Sequence, residues 1–147
     1  MDRIHIGCDI GNVLRDNTTG ESIDGSVESI RTLSSEYNVV LISKCKNSYK
    51  QKSLDWLESN ELMYLEKHFV LNDSDKANVD VDISYMIDDK IKVLLTFPDS
   101  VKKIWFCNDW KKINGARKYN PEWFDEVTLC HTWDDIVDTI HDDSQGP

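Results

Sequence analysis

The run Val39-Val40-Leu41-Ile42 limits the folds open to this chain more than any other stretch. Four consecutive apolar, mostly β-branched residues suit a strand covered on both faces, and such strands belong to parallel sheets enclosed by helices. Further short apolar runs recur at Ile4–Cys8, Phe69–Leu71, Tyr85–Ile87, Ile104–Cys107 and Val127–Leu129. Between them lie segments of helical spacing. Val27, Ile30 and Leu33 mark a first helix with Asp24 as its N-cap, and Ser48–Asn60, carrying Tyr49, Leu54, Trp56 and Leu57, marks a second. Lys90–Leu95, halted by Pro98, is a short third. Thr132 caps a last helix whose Trp133, Ile136, Val137 and Ile140 share one face. Asn108–Pro121, dominated by Asn, Gly and basic residues, reads as irregular, and Asp142–Pro147 as a frayed tail.

This alternation predicts an α/β fold: a three-layer, Rossmann-like, mostly parallel sheet with helices on both faces and right-handed crossovers. It occupies a single domain over residues 1–141. Ligands of such sheets sit outside the carboxyl ends of the strands. Asp9, Ser43 and the pair Asp88-Asp89 each close an apolar run, so all of them fall on that one edge. Taken singly they are ordinary residues: a strand-end Asp or Ser caps turns, an acidic pair is a solvated loop, and a lone lysine lies on the surface. Their order and placement carry the weight.

A carboxylate, a hydroxyl, an acidic pair and Lys76 together suit phosphoryl transfer, where catalysis is mainly positioning and charge neutralisation. Asp9, Asp88 and Asp89 offer hard oxygen ligands for Mg²⁺. Ser43 can donate to a phosphoryl oxygen and Lys76 can neutralise it. Net charge bears on the partner. With 17 basic residues against 27 acidic ones the chain carries −10, a field that disfavours nucleic acid and anionic membranes. Lys44, Lys46, Lys50 and Lys52 nevertheless follow the second strand without an intervening acid, and Lys44, Lys46 and Lys50 are placed to rim the site and draw anions in. No stretch approaches 18 apolar residues, and the four cysteines are too widely spaced for a zinc site or disulfide framework. A soluble, cytoplasmic protein is expected.

The motifs resemble those of the haloacid dehalogenase superfamily of aspartate-nucleophile phosphotransferases. Its first motif, an apolar strand followed by Asp-x-Asp-x-Thr/Val, is similar to Cys8-Asp9-Ile10-Gly11-Asn12-Val13 except at Gly11. Val39–Ser43 resembles the second motif, Lys76 the basic third, and Tyr85–Asp89 the acidic fourth, while Ile23–Ile30 resembles the opening of the first core helix. The resemblance spans roughly Ile4–Leu95. It implies an aspartyl-phosphate on Asp9, Mg²⁺ held by Asp9, Asp88, Asp89 and the backbone carbonyl of Gly11, and substrate contacts from Gly11, Asn12, Ser43, Lys44 and Lys76. The second Asp of the family performs proton transfer, and Gly11 removes it, although some relatives with Asp-x-Gly-Asn-Val are regarded as phosphatases. Asp16 is a candidate substitute acid. No cap insertion fits the spacing, so the site is open to a phosphorylated small molecule or macromolecule, or is closed by a second copy in a homo-oligomer. Two rival readings remain: a catalytically silent relative that binds phosphate or a protein, and a receiver domain. A receiver keeps its acidic pair after the first strand, whereas this chain has the pair after the fourth.

Overall fold

The computed structural model describes residues 3–144. Six strands, β1 (His5–Cys8), β2 (Asn38–Lys44), β3 (Glu66–Val70), β4 (Tyr85–Asp88), β5 (Lys102–Phe106) and β6 (Val127–Cys130), form one sheet in the order β3-β2-β1-β4-β5-β6. Every pairing is parallel. Helices α1 (Ser26–Glu36), α2 (Asn47–Ser59), α3 (Ile91–Leu94), α4 (Trp110–Tyr119) and α5 (Trp133–Ser144) connect and cover it, with short 3₁₀ helices at Asp73–Asn78 and Pro121–Asp125. A receiver domain has the flavodoxin-like order 2-1-3-4-5, so this topology excludes that reading. Among the described residues no helix is long and apolar enough to cross a membrane.

The period of two along the strands divides the interior into two cores. Ile6, Cys8, Val39, Leu41, Tyr85 and Ile87 face one layer, closed by Ile30 and Leu33 of α1, Leu57 of α2 and Ile136 and Ile140 of α5. Val40, Ile42, Met86 and Trp105 face the other, closed by Leu94 of α3 and Ile113 of α4. Gly7 faces the second layer. A Cβ there would lie 2.8 Å from Ile83 Cδ1 and 2.9 Å from Met86 Sδ. Gly7→Val should therefore cost about 1–3 kcal/mol by overpacking, read as a lowered denaturant midpoint with an unchanged slope.

Four local expectations are corrected. Gly25, not Asp24, is the N-cap of α1, in the left-handed region at φ 77° and with no side-chain cap. β3 begins at Glu66, earlier than the apolar run at Phe69 suggested, because an edge strand needs fewer buried residues. Asn108–Pro121 is not irregular: Asp109 accepts from the amides of Lys111 and Lys112 and starts α4. Finally, Asp142–Ser144 continue α5, since Tyr85 and Lys102 both bond Asp143 and the Tyr37 hydroxyl lies 2.7 Å from Ser144 Oγ. Residues 145–147 of the expected tail lie outside the described residues.

Candidate active site

The chain leaves β1 for β2 on one side, while β4 lies on the other, so the strand order reverses at β1 and opens a crevice at its carboxyl end. Asp9 follows β1 directly. Its amide donates to Ile87 O at 3.0 Å, which ties it to β4, and its Oδ1 accepts from the Ile10 amide at 2.8 Å. Ser43 is buried near the end of β2, and Asp88 closes β4 with no exposed surface. The Asp88 Oδ1 accepts from the Lys90 amide at 3.0 Å, and Trp105 Nε1 donates to Asp89 O at the same distance. Both members of the acidic pair are thus held by backbone or by a strand from the next register.

Lys76 comes from the Asp73–Asn78 turn, yet its side chain is among the most buried in the molecule. Its Nζ lies 3.0 Å from Asp88 Oδ2, 3.3 Å from Asp9 Oδ2 and 3.7 Å from Asp73 Oδ1. Burial lifts the Asp9 carboxyl to about 7, Asp88 adds to the rise, and Lys76 opposes it. Burial likewise carries Asp88 to about 6 against the pull of Lys76. Asp89 is raised by burial and by Asp9. For Lys76, burial works to lower the pKa, but Asp9, Asp88 and Asp73 outweigh it and hold the ammonium above the ordinary lysine value.

Carboxylate oxygens of Asp9, Asp88 and Asp89 lie within 4.8 Å of one another. Three such groups against one ammonium leave two uncompensated negative charges when all are ionised. In addition, Asp89 Oδ1 is buried without a hydrogen-bond partner. An all-oxygen donor set with a buried, unpartnered oxygen and a charge deficit of this sign fits a hard divalent cation such as Mg²⁺.

A cavity of about 390 Å³ opens over these groups, lined by Asp9, Gly11, Asn12, Ser43, Lys44 and Lys76 among others. Of the residues given a catalytic, substrate or metal role, Asp9, Gly11, Asn12, Ser43, Lys44, Lys76 and Asp89 line it, while Asp88 lies beneath, bonded to Lys76. Asn12 takes the left-handed conformation at φ 60°, which Asn tolerates, and its Oδ1 accepts from the Asn17 amide at 3.0 Å. Gly11 itself has no positive φ.

Other placements differ from the sequence expectation. Lys44, Lys46 and Lys52 line the cavity, but Lys50 lies over the Phe69 ring, 5.5 Å from its centroid, because α2 turns it away. Asp16, the candidate substitute acid, does not line the cavity: its Oδ1 accepts from the Thr18 and Thr19 amides at 2.7 and 3.2 Å and shapes a turn there. Sequence reasoning missed Arg15, Asn17 and Lys90, which line the same cavity, and Asp73, which pairs with Lys76. For Asp73 a signal existed, since it precedes Lys76 by three residues on a single turn.

The strand order and covering helices define a doubly wound, Rossmann-like α/β fold. Solved structures that share it include the following two. D,D-heptose 1,7-bisphosphate phosphatase from Burkholderia thailandensis superimposes with a TM-score of 0.70 at 12% identity, over 95% of this chain and 99% of that one. A haloacid dehalogenase-like hydrolase from Burkholderia xenovorans LB400 gives a TM-score of 0.70 at 10% identity, over 99% of this chain and 100% of that one. At such identities the likeness speaks to fold. No family profile matches the chain, and no curated protein matches it in sequence.

Proposed function

We propose that the protein is a Mg²⁺-dependent phosphomonoester hydrolase that works through an aspartyl-phosphate on Asp9. The observation that carries this reading is the convergence of Asp9, Asp88 and half-buried Asp89, with Lys76 paired to the first two, Asp89 Oδ1 unpartnered and the cavity open above Asp9. The names of the two structural neighbours, a phosphatase and a hydrolase, support it. Asp9, Asp88, Asp89 and the Gly11 carbonyl would hold the cation. Bound there, Mg²⁺ would neutralise phosphoryl charge and keep the carboxylates ionised.

An oxygen of Asp9 attacks phosphorus in line with the ester oxygen, the P–O bond breaks, and its electron pair leaves with the alcohol oxygen. Lys76 donates to a phosphoryl oxygen, and Ser43 and the amides around Gly11 and Asn12 orient the group. Water then attacks phosphorus, releases inorganic phosphate with its proton, and returns Asp9 as a carboxylate. No acid stands at position 11 to protonate the leaving oxygen. Residues 9–25, between β1 and α1, are too few to carry a cap, so the site stays open. Gly11 favours one other reading, a phosphate-binding protein that does not turn over.

The test is an Mg²⁺-dependent screen of phosphate esters, with acid-quenched protein digested and the Asp9 peptide weighed for a phosphoryl group. Phosphate release and a labelled Asp9 in wild type, both absent from Asp9→Asn, are expected. Tight phosphate binding with neither signal would establish the non-catalytic reading.

Restoring a carboxylate at position 11 should raise turnover of alkyl phosphates about tenfold, below the full range of roughly 10²–10⁴ for general acid–base catalysis. The backbone at Gly11 accepts a side chain, but its Cβ would lie 2.7 Å from Asn17 Nδ2. Asn17 is exposed and its amide can rotate away. Gly11→Asp/Asn17→Ala should therefore gain more than Gly11→Asp alone, and aryl phosphates should gain least, which steady-state kinetics across both substrate types would show.

A further inference from the structure

A second cavity, of about 790 Å³, lies between α3 and α4 on the other side of Asp89 and Lys90, two residues that line both spaces. Its size falls within the roughly 300–1,000 Å³ usual for small-molecule sites. The walls are Ile91, Val93, Trp105, Ala116 and Trp123. Trp105 is fixed by its bond to Asp89 O, so one wall of the cavity is tied directly to the acidic pair. Gly115, in the middle of α4, has nothing within 4 Å of the position its Cβ would take. A glycine inside a helix costs stability, and here it leaves the space open. Lys92, Lys111 and Lys112 stand at the mouth, exposed cations on a chain whose overall charge is −10. Apolar walls entered past lysines suit an occupant that is itself part apolar and part anionic.

We propose that this cavity receives the leaving group of the substrate, and that the substrate class is a small aryl phosphate monoester. The inference rests on the phosphatase reading above. The phosphoryl group sits over Asp9, the ester crosses the shared Asp89-Lys90 edge, and the aromatic ring lies between α3 and α4 against Trp105 and Trp123. Gly11 accords with this chemistry. An aryloxide departs with the electron pair of the broken P–O bond and takes its proton from water, so it needs no acid at position 11.

The experiment compares 1-naphthyl phosphate with acetyl phosphate, which also has a good leaving group but nothing to fill the cavity, on wild type, Gly115→Ala, Gly115→Leu and Gly115→Phe in Mg²⁺. Gly115→Phe should raise KM for 1-naphthyl phosphate about tenfold or more and change acetyl phosphate by less than about twofold, with Leu intermediate and Ala silent. The leucine variant keeps the test usable if phenylalanine disturbs α4. Calorimetric titration of 1-naphthyl phosphate into Asp9→Asn and Asp9→Asn/Gly115→Phe reads the cavity without turnover, and the second variant should bind about tenfold more weakly. Equal responses of both substrates to Gly115→Phe and Gly115→Leu, or calorimetric binding unaffected by the filling, would overturn the proposal. Cavity-dependent binding with no hydrolysis of either substrate would instead remove the phosphatase reading and leave an aromatic-anion site.

Discussion

Asp9→Asn is expected to stop turnover, by on the order of 10³-fold or more, while making the metal-free protein more stable. Both effects follow from one placement. Asp9 is almost wholly buried beside Asp88, and its folded-state pKa of about 7 lies above the ordinary carboxylate value. A carboxyl whose pKa is raised by folding binds its proton more tightly in the native state than in the unfolded chain. Stability therefore falls as pH rises from about 4 to about 7, and the whole penalty is present above that. For a shift of this size the penalty is about 2–4 kcal/mol at pH 8. Asparagine has no charge to desolvate. In EDTA, denaturant melts should show the variant overtaking wild type as pH rises, with little difference near pH 4. Saturating Mg²⁺ should close or reverse the gap, because only wild type keeps the full ligand set. Parallel pH profiles in EDTA would show that Asp9 is not under this strain.

Lys76→Met has the opposite sign on stability and the same sign on activity. Removing the ammonium leaves Asp9 and Asp88 buried with no cation at 3.3 and 3.0 Å. Breaking a buried pair from one side typically costs about 3–5 kcal/mol. The folded pKa of Lys76 is raised, so its contribution is complete below the unfolded lysine value and is lost only as pH climbs past it into the alkaline range. Across pH 5–9 the lysine contributes in full, and what varies is the carboxylates. Near pH 5 Asp9 and Asp88 can take up protons, so the loss should be smaller there than at pH 8. Turnover should fall about 10²–10³-fold, since a preorganised donor to the phosphoryl group is gone. Lys76→Arg should rescue little, because a planar guanidinium does not fit a space shaped around a single ammonium. Urea melts at the two pH values, with kinetics on the same samples, measure all of this.

The strand ends were legible because the sheet imposes a strict rule: an apolar run covered on both faces must stop somewhere, and the polar residue at which it stops faces the crevice. Asp9, Ser43 and Asp89 obey that rule, and Asp88 lies directly beneath them. Lys76 was harder to place, since nothing in its neighbours announces that a lysine on a short 3₁₀ segment will be buried; only the carboxylates it meets explain that. The rim was misjudged at Lys50 because the phase of α2 decides which lysine faces the site, and its sparse apolar stripe fixes that phase poorly. α4 escaped notice for a related reason. Of its ten residues only Ile113 and Ala116 are buried, and Gly115 interrupts it. The face that would have shown a helical stripe borders an open cavity instead of a packed core.

The segment carrying Lys76 also crosses from β3, at one edge of the sheet, past β2 and β1 to β4. It joins two halves, β1–β3 and β4–β6, that are each built from chain neighbours. Contacts within a half close short loops, whereas the β1–β4 pairing waits for the crossover, so docking of the halves is the entropically slow part of folding. Until then β1 presents a bare strand edge, a template on which another chain can pair. Asp9 and Asp88 meet around their shared lysine only when that edge is covered. Ripening of the catalytic cluster and protection from edge-to-edge aggregation are thus a single event, and a change that weakens the cluster lengthens the life of a sticky half-sheet.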